Sequence, residues 1–149
     1  MITIIDYGVG NINAFVNVYK RVDVPVKIAK TAADLEGAEK LILPGVGHFD
    51  HAMNQLNNSG MREKLDDLVL NQKIPVIGIC VGMQMMANNS DEGEVEGLKW
   101  IDATVKKFDE TKIHQVTRLP HMGWNDVKPV KDISLFQGLE KEAIFYFLH

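Results

Sequence analysis

The sequence has few of the features that mark a secreted, membrane-embedded or nucleic-acid-binding protein. Its 149 residues include one cysteine, so no internal disulfide is possible, and a lone thiol fits a reducing compartment. No apolar run approaches the roughly 20 residues of a membrane span, and the apolar start has no basic leader. The net charge of −4 and the scattered lysines and arginines argue against a nucleic-acid partner. We therefore expect a cytoplasmic protein that binds neither membranes nor nucleic acids.

The composition is that of an ordinary globular domain. Hydrophobic residues make up 46% of the chain and charged residues 24%. A chain of 149 residues suits one domain, 1–149. Neither repeats nor low-complexity segments interrupt it.

The first half of the chain alternates strand-like and helix-like segments. Short apolar runs predict strands at 2–5, 24–29, 40–43 and 75–79. Apolar stripes at helical spacing predict helices that begin at Asn11, span 48–58 and 61–71, and begin again at Val81. Strands that alternate with helices pair in parallel through right-handed crossovers. We therefore predict an α/β fold with a mostly parallel sheet and helices on both faces.

The pattern changes after residue 90. The segment 91–96 is acidic, and we interpret it as a solvated loop. Short strands joined by turns are predicted at 104–108, 114–117, 124–127 and 143–148.

The strongest local signal is Cys80, which lies between Gly78 and Gly82 where a buried strand ends and a helix begins. A nucleophile flanked in this way forms an elbow, a tight turn in which glycines leave room for neighbouring backbone. The elbow lifts the sulfur above the sheet edge, and amides at the start of the helix favour the nucleophilic thiolate. The alternative is that Cys80 is a small buried apolar residue. The motif favours a nucleophile but does not identify its reaction.

A second glycine-rich turn follows the preceding parallel strand, at 44–47. Because adjacent parallel strands end at the same edge, this turn is predicted to lie beside Cys80. With the amide of Val81, an amide of Val46 or Gly47 would then form an oxyanion hole. One such donor contributes roughly 2.7–4 kcal/mol of transition-state stabilisation. The alternative is an ordinary β-turn.

Five segments, in the same order along the chain, resemble one family. They are Asp6-Tyr-Gly-Val-Gly-Asn11, Leu43-Pro-Gly-Val-Gly47, Gly78-Ile-Cys-Val-Gly-Met-Gln84, Pro120-His-Met-Gly-Trp-Asn125 and Phe145-Tyr-Phe-Leu-His149. These segments are similar to those of the glutaminase subunits of imidazole glycerol phosphate synthases, which are class I (triad-type) glutamine amidotransferases. The fourth segment separates this subfamily from other triad amidotransferases, so the set is more specific than the elbow alone.

The resemblance implies a flavodoxin-like class I amidotransferase domain without cofactor or metal. It implies that Cys80 attacks the side-chain amide of glutamine to form a glutamyl thioester. It makes Val81 and the turn at 44–47 the oxyanion stabilisers, and it makes Gln84 a glutamine-binding residue. In the family, ammonia passes to a (β/α)8-barrel cyclase subunit that makes imidazole glycerol phosphate for histidine biosynthesis. A heterodimer with that cyclase is therefore implied.

By the same resemblance, Asn11, Trp124 and Tyr146 face the cyclase. Tryptophan and tyrosine suit interfaces because they supply large, rigid contacts with a polar tip. For Tyr146, inside an apolar strand, the alternative is core packing. Trp124 follows Gly123 in a turn-rich segment and is the stronger interface candidate.

The family's catalytic base and its orienting acid form a His-x-Glu pair, which this chain lacks. None of its five histidines precedes a glutamate at that spacing, so the domain is expected to be incomplete at its C-terminus, without base or acid. His48 and His51 are interpreted as surface or structural residues, His121 as structural, and His149 as the match of a non-catalytic family histidine. In a related triad, loss of the base costs on the order of 10⁶-fold in kcat. We therefore expect slow glutamine hydrolysis or none.

Other interpretations remain open at this stage. A different cysteine hydrolase or stress protein of related fold is one, although such proteins often carry a histidine where Val81 stands. A non-catalytic docking partner is another, which the missing base favours. A third is a glutaminase that serves another synthase and aminates a sugar or polysaccharide precursor, because the acceptor binds the partner rather than this chain.

Overall fold

A computed structural model describes residues 1–114, 119–131, 134–139 and 143–149. The chain divides into two compact units, Met1–Phe108 and Asp109–His149, and each is described by itself. That the whole chain is one domain stays a prediction.

A parallel sheet of four strands organises the first unit. The strands are β1 (Ile2–Ile5), β2 (Val26–Ala29), β3 (Lys40–Leu43) and β4 (Val76–Gly78), and their order is β2-β1-β3-β4. All three strand pairs are parallel. This order is that of flavodoxin-like folds, and it confirms the predicted α/β class. It also makes β3 and β4 neighbours, so their carboxyl ends meet at one edge.

Four α-helices accompany these strands in the first unit. They are α1 (Ile12–Arg21), α2 (Phe49–Asn58), α3 (Arg62–Asp66) and α4 (Val81–Met85), with a 3-10 turn at Ala33–Leu35. Strand β2 is shorter than predicted because the amide of Val24 donates to the carbonyl of Tyr19 at 2.9 Å. Val24 thus closes the end of α1 instead of opening the strand.

The predicted helix at 61–71 changes type midway. Helix α3 continues into a π-helical turn, Asp67–Asn71, and the amide of Gln72 donates to the carbonyl of Asp67 at 3.0 Å. Lys73 follows with a φ of +58°, a left-handed conformation that ends the helix before β4.

The main core lies on one face of the sheet. Because side chains alternate along a strand, Ile5, Leu41 and Leu43 point to this face. Phe49 and Leu56 of α2 pack into the same cluster, and both side chains are fully buried. Each such side chain contributes roughly 1.5–3 kcal/mol relative to full exposure. The core therefore lies beneath the turns that follow β3 and β4.

The opposite face of the sheet carries a row of isoleucines in register. Ile28, Ile4, Ile42 and Ile77 follow one another across the four strands. Ile4 and Ile42 are buried, whereas Ile77 on edge strand β4 is 38% exposed. No residue of α1 is fully buried, so the core face carries most of the packing in this unit.

The acidic segment 91–96 is exposed, as expected of a solvated loop, but it is anchored to α2. The carboxylate of Asp50 accepts hydrogen bonds from the amides of Glu94 and Val95, both at 3.0 Å. In return, the carboxylate of Glu92 accepts one from the amide of Phe49 at 2.9 Å. The two backbone hydrogen bonds hold the pKa of Asp50 below its usual value. This exchange fixes the start of α2, directly after the turn at 44–47.

A short pair of strands closes the first unit. β5 (Asn89–Ser90) and β6 (Thr104–Val105) pair in parallel. β5 was not predicted from the sequence, since two residues carry no measurable periodicity. The strand predicted at 104–108 is shorter in the structure: β6 has two residues, as does β5.

The second unit contains an antiparallel pair, β7 (Met122–Asp126) and β8 (Ile144–Leu148). Short 3-10 turns occur at Glu110–Lys112 and Ser134–Phe136. The strand predicted at 114–117 falls almost wholly outside the described residues. Across the described ranges, no helix is long and apolar enough to cross a membrane.

Candidate functional site

Cys80 lies at the junction of β4 and α4 in a strained backbone conformation. Its φ is +56° and its ψ is −122°, and the residue is exposed. A non-glycine residue in such a region costs on the order of 1–3 kcal/mol and persists only where its surroundings hold it. The amide of Ile79 donates to the carbonyl of Leu43 at 3.0 Å, and the amide of Met83 donates to the carbonyl of Cys80 at 3.0 Å. The alternative of a buried apolar cysteine is therefore wrong.

The elbow spans residues 78–82. Its two glycines, Gly78 and Gly82, allow backbone contacts that any residue with a Cβ would block. A Cβ on Gly78 would lie 2.5 Å from the Cα of Met83, inside the first turn of α4. A Cβ on Gly82 would lie 2.0 Å from the carbonyl oxygen of Leu43. The backbone of the elbow thus rests directly on the last residue of β3.

The turn at 44–47 lies against the elbow, as its place after β3 predicts. A Cβ on Gly45 would lie 2.4 Å from the amide nitrogen of Gly82. Gly47 has a φ of +91°, which favours glycine and redirects the chain into α2. The two backbone segments are therefore in contact.

The predicted oxyanion donors keep their amides available. Within the described part of the chain, the amides of Val46, Gly47 and Val81 donate to no protein acceptor. Val46 lies on the exposed turn, and Val81 begins α4 with a buried side chain. Unpaired amides around a nucleophile are the donor set that an oxyanion requires.

Gln84 lies on the first turn of α4, four residues after Cys80. Cys80 is the N-cap residue of α4, so Gln84 follows it within one helical turn. It is half-buried, and its own amide donates to the carbonyl of Cys80 at 3.3 Å.

Tyr7, for which the sequence predicted no role, contacts the turn at 44–47 from the core side. Tyr7, two residues beyond β1, is buried and donates its hydroxyl hydrogen to the carbonyl oxygen of Pro44 at 2.7 Å. Burial raises the pKa of Tyr7 far above its ordinary value. The sequence signal for this contact is a tyrosine just after β1, the strand that neighbours β3.

Two of the histidines have hydrogen-bond partners close to them in the sequence. His48 caps α2, where its Nδ1 accepts from the amide of Asp50 at 3.2 Å. In the second unit, Nε2 of His121 lies 2.8 Å from the side-chain nitrogen of Asn125. Among the described residues, no group of three or more potential ligands could hold a metal ion.

The predicted interface residues occupy both units. Asn11 caps α1, and its side-chain oxygen accepts from the amide of Ala14 at 3.2 Å. Trp124 and Tyr146 pair across β7 and β8, with ring centroids 5.4 Å apart in an edge-to-face arrangement. Tyr146 is 56% exposed, so the alternative of core packing does not describe it.

Known proteins resemble this chain along its whole length. The family model for class-I glutamine amidotransferases matches residues 3–149. The imidazole glycerol phosphate synthase subunit HisH of Bdellovibrio bacteriovorus is 60% identical over 149 residues, which are all of this chain and 73% of the relative. The HisH subunit of Leptospira borgpetersenii is 50% identical with the same coverage, and HisH 2 of Pseudomonas aeruginosa is 44% identical over all of this chain and 72% of its own.

A solved structure supports the fold independently. A crystal structure of a glutamine amidotransferase superposes with a TM-score of 0.71 at 18% identity. The match covers 99% of this chain and 69% of that structure. At this identity the likeness concerns the fold alone.

We predict that Gly82→Ala disrupts the contact between the elbow and β3. The added Cβ meets a backbone carbonyl that cannot move aside, so the free energy of unfolding should fall by about 3 kcal/mol or more. Gly37→Ala is the matched control, because Gly37 has a φ of +70° with no atom within 4 Å of its added Cβ. It should cost only about 1 kcal/mol. Equal losses for both variants in urea unfolding would contradict this account of the elbow.

Proposed function

We infer the function of this chain from its family: it belongs to the class-I glutamine amidotransferases and, within them, to the HisH subunits of imidazole glycerol phosphate synthase. Its function is that of the glutaminase subunit in histidine biosynthesis, which takes ammonia from glutamine for the synthase. The observation that carries this proposal is the exposed, strained Cys80 beside unpaired backbone amides.

Cys80 is the nucleophile in the proposed reaction. Its thiolate attacks the side-chain carbonyl carbon of glutamine, a carbon–sulfur bond forms, and negative charge develops on the carbonyl oxygen. When this intermediate collapses, the carbon–nitrogen bond breaks and ammonia leaves with one added proton. Water then cleaves the glutamyl thioester to glutamate, so no electron donor or acceptor is needed.

The proposed oxyanion donors are Val81 and one of Val46 and Gly47. Backbone amides suit this role because they are held by the fold before the charge develops. Gly82 allows the elbow to rest against the end of β3, so the two donor segments share one sheet edge. Gln84, on the first turn of α4 directly after Cys80, is the proposed contact for the glutamine substrate.

The proposed limit on turnover is proton transfer. Ammonia leaves only when protonated, and the family supplies that proton from the histidine of its His-x-Glu pair. The five histidines of this chain form no such pair. Since a cysteine thiolate needs less activation than a serine, thioester chemistry at Cys80 is less affected than complete turnover.

The proposed partner is the (β/α)8-barrel cyclase, bound in part through one face of the second unit. In this unit, β7 and β8 alternate exposed and half-buried residues, so one face of the pair is exposed. That face carries Met122, Trp124, Ile144, Tyr146 and Leu148, each more than half exposed. A contiguous apolar face with an aromatic pair is typical of a protein interface. Asn11, in the first unit, remains an additional predicted contact.

We also propose where in the cell the protein is found and which partners it does not bind. A cytoplasmic location suits a free, exposed cysteine nucleophile, because the cytosol keeps thiols reduced. We assign the chain no nucleic-acid or membrane partner, in keeping with its net charge of −4 and its scattered basic residues.

The nucleophile is tested with a chloroketone analogue of glutamine, from which a thiolate displaces chloride without needing an acid. We predict that the L-isomer alkylates Cys80 at least about 10-fold faster than the D-isomer, which corresponds to about 1.4 kcal/mol of selective binding. L-Glutamine should slow the reaction, and Cys80→Ser should abolish it, as measured by intact mass and peptide mapping. Equal rates for the two isomers would overturn the glutaminase assignment.

Turnover gives a second test. Mixed with the cyclase subunit, this chain is expected to release glutamate more slowly than a HisH subunit that carries the His-x-Glu pair, by on the order of 10⁶-fold. The measurement is coupled glutamate detection under saturating glutamine, with Cys80→Ala as the background. Glutamate release comparable to that of the HisH subunit with the pair would show that the proton comes from a group not identified among these residues.

The interface is tested by Trp124→Ala. Removing the large exposed ring should weaken binding to the cyclase by about 2 kcal/mol, or roughly 30-fold in Kd. Val130→Ala is the matched control, because Val130 is also apolar, lies in the same unit and is 95% exposed. Its Kd should stay within about twofold of the unmodified chain, as measured by calorimetry. An equally small effect of Trp124→Ala would remove this face from the interface.

A further inference from the structure

Tyr7 joins the end of β1 to the turn after β3 through one buried hydrogen bond. Its ring is 5% exposed, and its hydroxyl lies 2.7 Å from the carbonyl oxygen of Pro44 and 3.3 Å from the sulfur of Met85. A carbonyl oxygen is a much stronger acceptor than a thioether sulfur, so the hydroxyl of Tyr7 donates its single hydrogen to Pro44. The raised pKa of Tyr7 keeps this hydrogen in place throughout the neutral range.

This bond has a geometric consequence for the turn. The carbonyl of Pro44 and the amide of Gly45 belong to one planar peptide, in which they point in opposite directions. Holding the carbonyl toward Tyr7 therefore sets the direction of the Gly45 amide as well. Gly45 is also the residue whose Cβ would collide with the amide of Gly82.

The peptide is thus held from two sides. Tyr7 holds the carbonyl from the core, and the backbone of the elbow confines Gly45 from the opposite segment. Beyond it, the amides of Val46 and Gly47 donate to no acceptor among the described residues, so no hydrogen bond of their own fixes their direction. The orientation of these amides is therefore set from the Pro44 end.

We propose that Tyr7 is a positioning residue for the oxyanion turn: by holding the Pro44 carbonyl, its hydroxyl directs the amides of Val46 and Gly47 toward the carbonyl that Cys80 attacks. This inference rests on the proposed function and specifies how its oxyanion hole is held in shape. In this role Tyr7 acts through the turn and not by contact with the substrate or with the sulfur of Cys80. Its effect is confined to reactions at Cys80 that pass through an oxyanion.

Two reactions of the same sulfur separate this role from general packing. With a γ-ethyl thioester of L-glutamate, Cys80 attacks the carbonyl, an oxyanion forms, and ethanethiolate leaves without needing an acid, so glutamyl-Cys80 accumulates. With iodoacetamide, Cys80 displaces iodide in one step with no oxyanion. Both rates depend on the same thiolate and its exposure. Their ratio, taken from initial rates by intact mass spectrometry, therefore reports the oxyanion environment.

The key variant is Tyr7→Phe, which removes one hydroxyl and keeps the ring. We expect the acylation-to-alkylation ratio to fall by on the order of 10-fold, while iodoacetamide alkylation stays within about twofold of the unmodified chain. Tyr19→Phe is the matched control, because it makes the same change on α1, away from the turn. Its ratio should not change.

Met85→Leu tests the same bond without removing it. It replaces the sulfur near the Tyr7 hydroxyl with carbon and leaves the hydrogen bond to Pro44 in place. The ratio should stay within about twofold. A fall as large as that expected for Tyr7→Phe would overturn the proposal, because packing around the ring would then set the ratio. This variant keeps the inference open to refutation even if Tyr7→Phe fails to fold.

The outcomes separate the inference from the function on which it rests. An unmodified chain whose ratio is no higher than that of N-acetylcysteine overturns the oxyanion hole itself, and with it both proposals. A ratio well above that reference that is unchanged in folded Tyr7→Phe overturns the positioning role alone. A selective fall in Tyr7→Phe, with Tyr19→Phe and Met85→Leu unaffected, supports it.

Discussion

The site depends on the contact between the elbow and the end of β3. Cys80 holds a backbone conformation that is unfavourable in isolation, and it is kept there because Gly82 rests on the carbonyl of Leu43. That contact has no space for a single Cβ. The sulfur of Cys80 is exposed on this strained turn. The turn lies where the adjacent parallel strands β3 and β4 end and their backbones come into contact.

This contact also explains why the proposed oxyanion donors are backbone amides. A turn pressed against the elbow presents N–H groups without side chains between them, and glycine at 45 permits that approach. The core behind the turns is well packed by Phe49, Leu56 and their neighbours. The exchange between Asp50 and segment 91–96 fixes the start of α2 on the other side of the turn. The site is therefore supported from several elements, although the proposed reacting groups come from two backbone segments.

Much of the first unit could be predicted from the sequence. The runs at 2–5 and 40–43 became β1 and β3 with the predicted bounds, because apolar segments between turn signals leave little choice of position. The start of β2 and the type of helix at 67–71 were missed, since they depend on single hydrogen bonds such as that of the Val24 amide. Strand β5 was missed because it is stabilised by pairing with β6 rather than by a pattern of its own.

The sequence by itself determined that Cys80 stands in an elbow, that a glycine turn follows the neighbouring strand, and that no His-x-Glu pair is present. These are local patterns, and residue spacing is enough to recognise them. Only the tertiary structure decided that Tyr7 holds the carbonyl of Pro44 and that Tyr146 faces outward. The first joins residues 37 positions apart, and the second depends on which face of a strand pair is covered. Both follow from packing between distant segments, which spacing along the chain does not encode.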